Sequence, residues 1–207
     1  MRERFVLDGF RAPKKRHLTV PVGGHLTYAF FVGNGAGLDR TITIRLLRGS
    51  ALKVYGIVLG SGSQQENIKL TVTHAEADAQ SFISIKAVMA GNAYALIDGA
   101  IRIAPRAHGT DARLEERALL LSPTARADTK PHLEIETHDV KASHAATVGR
   151  PSQDELFYLQ TRGLAPGTAL RLLVQGFLAS QLAPLPLGGF HAKLKAAISR
   201  KIDRMFV

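Results

Sequence analysis

The sequence contains no cysteine among its 207 residues. A chain without thiols forms no disulfide, no thiolate zinc site and no cysteine-ligated iron–sulfur cluster from its own side chains, and it offers no cysteine nucleophile. Imidazole and carboxylate remain as ligands that suit iron or zinc. The length suits one large domain, or one domain with an appendage.

Long apolar runs are also missing. The first residues, MRERFVLDGF, carry charges that no apolar run follows, so they do not resemble a secretory signal. The most apolar helical window, Ala169 to Leu182, is interrupted by Arg171 and Gln175 and is too short to span a bilayer. We therefore expect a soluble, cytoplasmic protein with no membrane partner.

Acidic residues are outnumbered, because 17 Asp and Glu face 27 Lys and Arg, which gives a formal net charge of +10. The basic residues concentrate near the two ends: Arg2, Arg4, Arg11, Lys14, Lys15 and Arg16, then Lys193, Lys195, Arg200, Lys201 and Arg204. Such ends form either a solvated surface or a surface for nucleic acid or an acidic partner. Because no aromatic residues are interleaved with them as stacking platforms, a nucleic-acid partner is the less favoured alternative.

Helix signals are almost absent from His17 to Val148, where short alternating runs predict strands with one buried and one solvated face. The runs are Leu26–Val32, Arg40–Leu46, Leu52–Leu59, Asn67–Thr73, Ser81–Val88, Ala93–Ala104 and Leu133–Thr137. Glycine-rich turn signals separate them, including Gly33 to Gly37, which we interpret as a turn because no phosphate-binding Lys-Ser/Thr or helix follows. The pattern fits a sandwich or a β-solenoid, and the small residues that recur beside the bends favour the solenoid.

The hydrophobic period changes after Gly149. Ser152 and Glu155 form a capping box that predicts a helix start, and Gly163 lies where a helix would end. A second helix is predicted from about Pro166 and a third from about Phe190 to Met205. The sequence therefore predicts a β core domain over residues 1–149 and a C-terminal helical subdomain over residues 150–207, whose helices cap the last coil.

Four polar side chains near the end of the β region alternate along one predicted strand. If that strand is regular, His132, Glu134, Glu136 and His138 share a face, and His144 follows close by. This spacing is compatible with an iron or zinc site. The alternative is a polar outer face of the strand.

Signs of catalysis are weak. Ser143 and His144 are adjacent, so on a strand they point to opposite faces and do not form a dyad, and there is no Gly-x-Ser-x-Gly motif. A β-helix enzyme acting on polysaccharide would need clustered carboxylates, but the candidates scatter near predicted turns: Asp98, Asp111, Glu115 and Glu116. We do not expect an enzyme.

The predicted tail carries more apolar residues than one helix face requires. Leu159, Leu172, Leu173 and Phe177 either close the core of the tail itself or dock a partner in a groove.

The segment from about Gly99 to Leu182 resembles the SufB/SufD core family, the scaffold proteins of the SUF system of iron–sulfur cluster assembly. The residues that carry the resemblance are Leu119–Ser122, Ala127–Thr129 with Pro131, Leu133–Ile135, Asp139–Lys141, Ser143-His144, Ala146–Gly149, Leu156–Leu159, Arg162–Leu164, Ala169, Arg171–Leu173 and Gly176-Phe177.

The resemblance implies a right-handed parallel β-helix followed by C-terminal helices. It implies pairing through the β-helix with a SufB-type subunit or with an identical subunit, and docking of a SufC-type ATPase on the helices. On this basis the docking residues are Leu159, Arg162, Leu172, Leu173 and Phe177. The histidine of the family's Ser-His-x-Ala-Thr motif, here His144, is implied at the cluster interface.

Two departures from the family pattern bear on the type of subunit. Ala142 stands where members often carry cysteine, and Ala145 stands where glycine is common. The chain is therefore similar to a short SufD-like subunit that binds no cofactor stably alone. His144, and less strongly His132 or His138, is expected to offer a ligand to transient iron or to a cluster whose sulfur ligands come from a partner.

Overall fold

The computed structural model describes residues 3–9, 13–33, 39–186 and 190–205, with the side chains of residues 190–193 left aside. Most of the glycine-rich turn predicted at 33–37 therefore lies outside the described residues. No helix within the described part of the chain is long and apolar enough to cross a lipid bilayer.

Eleven strands of the described chain build two parallel sheets. The strands are β1 (Glu3–Asp8), β2 (Lys15–Val20), β3 (His25–Val32), β4 (Asp39–Leu46), β5 (Ala51–Gly60), β6 (Gln65–His74), β7 (Gln80–Met89), β8 (Tyr94–Ile103), β9 (Thr110–Leu120), β10 (Arg126–Ile135) and β11 (Val140–Gly149). Sheet A has the order β1-β3-β5-β7-β9-β11, and sheet B has the order β10-β8-β6-β4-β2. Because successive strands alternate between the sheets and every pairing is parallel, the chain winds as the predicted β-solenoid.

The interior of the solenoid is filled by one side of every strand. Ile42 pairs in register with Leu70, and Val54 pairs with Ile83, so like side chains stack from coil to coil. All four are fully buried. The alternation predicted for β4 and β6 is confirmed, since their inward residues are buried and their outward residues are partly or fully exposed.

Successive corners of the solenoid are hydrogen-bonded to each other. The Gly49 N–H donates to the Ala77 carbonyl at 3.0 Å, and the Asp78 N–H donates to the His108 carbonyl at 2.9 Å. Gly91 adopts φ 65°, and a β-carbon there would come within 3.0 Å of the Gly62 nitrogen. Small residues are therefore needed where the turns stack, as the sequence predicts.

Strands β3, β5 and β7 are buried on both faces, unlike the strands of sheet B. Their outward residues form a second hydrophobic cluster with the C-terminal helices. The cluster consists of Ala29, Phe31, Tyr55, Ile57, Leu59, Val88, Val174, Leu178, Leu182, Leu185, Leu194, Ile198 and Ile202. Burial of two faces explains why these strands read as nearly continuous apolar runs.

Three helices follow the strands: α1 (Gln153–Thr161), α2 (Pro166–Leu182) and α3 (Phe190–Asp203). The Ser152 hydroxyl accepts from the Glu155 N–H at 3.4 Å, as the predicted capping box requires. Gly163 has φ 89°, and the Leu164 N–H donates to the Leu159 carbonyl at 3.3 Å, which is the Schellman pattern.

The position of the helices differs from the expectation. They were expected to cap the last coil, but α2 and α3 pack on the outer face of sheet A over β3, β5 and β7. The apolar outward side chains of these strands are the physical reason, because they need a cover that alternating strands would not require. The end of the solenoid at β10 and β11 is therefore left open by the described residues.

Candidate functional site

The open end of the solenoid is formed by β10 and β11. Strand β10 pairs only with β8, and β11 pairs only with β9, among the strands that the structure describes. Each therefore presents one edge of backbone N–H and carbonyl groups without a strand partner. Such edges are templates for pairing with another chain.

Apolar side chains that would be interior in any other coil are exposed at this end. Val148 pairs in register with the buried Ala118, and Ile135 pairs with the buried Ile103. Yet Ile135 is 43% exposed and Val148 is 42% exposed. We call this surface the end face and define it by the two free edges with Leu133, Ile135, Val140, Ala142, His144, Ala146 and Val148.

His144 lies on the end face. It pairs in register with Leu114, a fully buried member of the interior cluster, so this side of β11 belongs to the interior row. With no further coil above it in the described chain, His144 is exposed. The neighbouring Ser143 is in register with Arg113, whose strand face is the outer one, so the predicted opposition of Ser143 and His144 is consistent with this placement.

One coil beneath the end face lies a buried carboxylate. Glu116 is fully buried on the interior side of β9 and is in register with Ala146 of β11. Burial raises the pKa of Glu116 to about 8, with a further contribution from the charge of Asp98. The Gly99 backbone opposes this rise, although neither carboxylate oxygen has a hydrogen-bond partner of good geometry in the described chain.

The predicted row of four metal ligands is not assembled. Strand β10 ends at Ile135, so Glu136 and His138 lie beyond it and the premise of one regular strand face is wrong. On the strand, His132 Nε2 lies 3.6 Å from Asp98 Oδ1, and Glu134 pairs with Arg102 at 2.9 Å. The described residues contain no group of three or more His, Asp or Glu able to hold a metal.

Of the carboxylates considered for catalysis, Asp98, Glu115 and Glu116 lie well inside strands, whereas Asp111 lies next to a turn at the start of β9. Asp98 is on the outer face of sheet B, where it faces Lys69 at 3.7 Å, whereas Glu116 is inside the solenoid. Glu115 is held by Arg113 at 2.7 Å and Arg117 at 3.9 Å. These carboxylates therefore do not present the accessible pair that glycoside hydrolysis requires.

The tail residues predicted for docking are brought close together on α1 and α2. Leu172, Leu173 and Phe177 line a cleft of about 470 Å³ with Leu119 and Arg150. Leu173 also lines a second, more open hollow of about 350 Å³, together with Leu159 and Tyr158 of α1. The Arg162 guanidinium lies 5.0 Å from the centre of the Tyr158 ring. We call this the tail face.

The tail face carries exposed apolar residues. Helix α1 has no buried residue, Phe157 is 69% exposed, and Leu172 of α2 is 47% exposed. Phe157 belongs to an apolar run on α1. It lies outside because Leu156, Phe157, Tyr158 and Leu159 are consecutive, and four consecutive helical positions point in different directions.

Phe177 has a different environment from the rest of the tail face. It is half-buried against sheet A, and its ring lies 4.5 Å from Nζ of Lys86 on β7. The same ammonium donates to the Phe177 carbonyl at 2.6 Å and to the Ser180 hydroxyl at 2.5 Å. Gln181 adds a hydrogen bond to the Ser84 hydroxyl at 2.9 Å. Phe177 therefore helps to attach α2 to the solenoid.

The basic ends are partly engaged within the fold. Arg16 pairs with the buried Asp8 at 2.6 Å. Lys201 of α3 is half-buried and donates to the Gln64 side chain at 3.1 Å. Burial lowers the pKa of Lys201. Some of the positive charge therefore has a structural role.

The comparison with protein families agrees with this architecture. Residues 27–177 match the family model described as "SUF system FeS cluster assembly, SufBD core domain". The chain belongs to this family. The match covers all strands from β4 to β11 and most of α2, so it includes the end face and the tail face.

Several curated SufBD proteins are similar to the chain. It is 37% identical to the iron–sulfur cluster assembly protein SufD of Bacillus subtilis (strain 168) over 146 residues, covering 70% of the chain and 33% of that protein. It is 32% identical to a SufBD family protein of Mycobacterium tuberculosis over 197 residues, covering 91% of the chain and 47% of that protein. It is 27% identical to the iron–sulfur cluster assembly protein SufD of Escherichia coli (strain K12) over 176 residues, covering 85% of the chain and 42% of that protein. The chain thus spans about a third to a half of the length of these SufBD relatives.

Three features of this SufBD core were not predicted from the sequence: the contact of Lys86 with α2, the burial of Glu116 and the exposure of Phe157. Lys86 and Glu116 both lie in alternating strand patterns. Only the register of the folded sheets shows that Lys86 contacts α2 and that the Glu116 carboxylate has no hydrogen-bond partner of good geometry. The exposure of Phe157 had a signal, because an apolar run of four is longer than one helix face can bury.

Proposed function

We propose that the chain is a non-catalytic, SufD-like scaffold subunit in iron–sulfur cluster assembly, working in the cytoplasm. Membership of the SufBD core family supports a role in iron–sulfur cluster assembly. The open end face of the solenoid is the observation that supports a role as a scaffold. Two free strand edges beside exposed Ile135 and Val148 suit pairing with a second solenoid, either a SufB-type subunit or an identical one.

The proposed site for nascent iron or a cluster lies on the same end face. His144 offers an imidazole there, next to the place where a partner would sit. Because this sequence has no thiol, cysteine ligands are proposed to come from that partner. The iron or cluster is thus cargo shared between two subunits rather than a cofactor of this chain.

The tail face is the proposed dock for a SufC-type ATPase. Its adjacent hollows and exposed Phe157 and Leu172 offer apolar area to a partner. Leu159, Arg162 and Leu173 contribute to this surface. Phe177 is proposed to act partly through α2, because it also contacts the solenoid.

Pairing is tested by Val148→Glu. A buried charge in a new interface without a partner is costly, so we expect loss of co-purification with a SufB-type subunit, or loss of the homodimer in sedimentation. Val22→Glu is the matched control, because Val22 is also apolar and is 65% exposed but lies in the turn before β3. Equal binding by both variants would contradict pairing through the end face.

ATPase docking is tested by Leu172→Glu with the same Val22→Glu control. Direct binding to a SufC-type ATPase should weaken at least tenfold for Leu172→Glu alone.

The role of His144 is tested by His144→Ala in a reconstituted complex, where an unchanged cluster yield would reject it. His25→Ala is its control, because His25 is also exposed but lies at the start of β3, far from β11 in sheet A.

A further inference from the structure

Glu116 is a buried carboxylate that the fold does not satisfy. Its side chain is fully buried, and both carboxylate oxygens lack a hydrogen-bond partner of good geometry in the described chain. An unpaired polar group in such a place is costly even when it is protonated, and an ionised carboxylate would cost more. Leucine would avoid this cost, so the carboxyl group needs a reason beyond packing.

The location of Glu116 brings it near His144. Glu116 is in register with Ala146, and His144 lies two residues earlier on the same interior side of β11. Strand spacings place the Cα atoms of Glu116 and His144 about 8 Å apart. Two long side chains at that separation can reach one ion between them. Ala146, the residue directly above Glu116, contributes only a methyl group to the end face.

The opposite sheet leaves room for the carboxylate. A β-carbon at Gly99 would overlap with Oε1 of Glu116. Gly99 itself is in register with Pro131 of β10, which lies on the terminal coil. The carboxylate therefore occupies space that a larger residue in β8 would remove, one coil below the end face.

We propose that Glu116 and His144 together bind one divalent transition-metal ion at the open end of the solenoid. This assignment rests on the proposed role of His144 and adds a second ligand from the same chain. A carboxylate oxygen and an imidazole nitrogen are ligands that suit Fe²⁺, Co²⁺ and Zn²⁺. The ion would supply the missing partner of the carboxylate. The described residues contain no group of three ligands, so the remaining positions belong to water or to the paired subunit.

The test uses Co²⁺ alone as the probe, titrated into the purified full chain and followed by calorimetry and by its visible absorption. We expect one bound ion per chain. Glu116→Gln, which keeps the shape of the side chain, and His144→Ala should each weaken binding at least tenfold. Glu115→Gln is the matched control. Glu115 directly precedes Glu116 but lies on the outer face of sheet A beside Arg113 and Arg117. Circular dichroism and thermal unfolding verify that each variant folds.

The outcomes separate this inference from the proposed function. If His144→Ala weakens binding and Glu116→Gln does not, the role of Glu116 is refuted while that of His144 stands. If Glu116→Gln alone weakens binding, the shared site is refuted. If the chain binds no Co²⁺, or if Glu115→Gln weakens binding as much as Glu116→Gln, the two-ligand site is also refuted. A rise in the thermal midpoint with Co²⁺ that only Glu115→Gln retains would support it.

Discussion

Replacing Lys86 by methionine should loosen the attachment of α2 to the solenoid. The ammonium makes two short hydrogen bonds, to the Phe177 carbonyl and the Ser180 hydroxyl, and lies over the Phe177 ring. Hydrogen bonds from a charged group contribute about 1.5–3 kcal/mol each, and a cation–π contact contributes about 0.5–1 kcal/mol. Lys86 is only half-buried. Water therefore compensates part of the loss, and we expect a net cost of about 2 kcal/mol.

Native-state hydrogen exchange measures this cost locally. If α2 opens as a unit, a loss of about 2 kcal/mol should speed the exchange of its amides by about 30-fold. Amides of β4 and β6 lie on sheet B, away from α2, and should change little. Methionine keeps the unbranched stem of lysine, so the comparison isolates the ammonium group.

Lys69→Met is the control for Lys86→Met. Lys69 lies on the outer face of β6, is exposed and faces Asp98 at 3.7 Å. Exposed ion pairs of this kind contribute little, so its exchange and stability should change by less than about 0.5 kcal/mol. An effect of Lys86→Met on α2 no larger than that of Lys69→Met would refute the argument. Equal acceleration across α2 and sheet B would refute local attachment.

Two further predictions concern the interior. Burial lowers the pKa of His74 to about 4. Between pH 6.5 and pH 4 the imidazole is therefore protonated in the unfolded chain but largely neutral in the folded chain. The free energy of unfolding should fall by about 3 kcal/mol as the pH drops from above 6.5 to 4. Urea unfolding at pH 7 and pH 4.5 should show a weaker pH dependence in His74→Gln than in the unmodified chain, and identical dependences would contradict the assignment. Gly99→Ala should cost about 1–3 kcal/mol through overlap with Glu116. In a double-mutant cycle, Glu116→Ala should recover most of that cost, and strictly additive effects would contradict the contact.

Local patterns were sufficient for much of the fold. The alternation in Arg40–Leu46 and Asn67–Thr73 predicted β4 and β6 to within two residues, and Ser152 and Gly163 marked the two ends of α1. These features depend on contacts between residues near each other in the sequence, which is why the sequence displays them.

The long-range arrangement was harder to predict. Residues Lys141 to Thr147 are not among the predicted strand runs, but they form most of β11 because β9 supplies a complete row of backbone partners. Their weak pattern has a physical reason, since an end strand with one exposed interior side needs few large apolar residues. The placement of the helices on sheet A depended on the apolar outward sides of β3, β5 and β7, a signal that was present but not used.

The buried position of Glu116 could not be predicted from the sequence for another reason. Glu116 follows Glu115 in a charged stretch, and the two differ only in which side of β9 they occupy. A shift of one residue in the register of β9 would bury Glu115 and bring Glu116 to the outer face. Only the assembled sheets decide which of the two faces Gly99.

Placement of the helices on the flank of the solenoid has a consequence for assembly. The end face and the tail face are made of different residues, so the two proposed partners would occupy different surfaces. Arg150 follows β11 directly and shares a cleft with Leu172 and Phe177. A body bound in that cleft would therefore contact both α2 and the residue that follows the last strand of the solenoid.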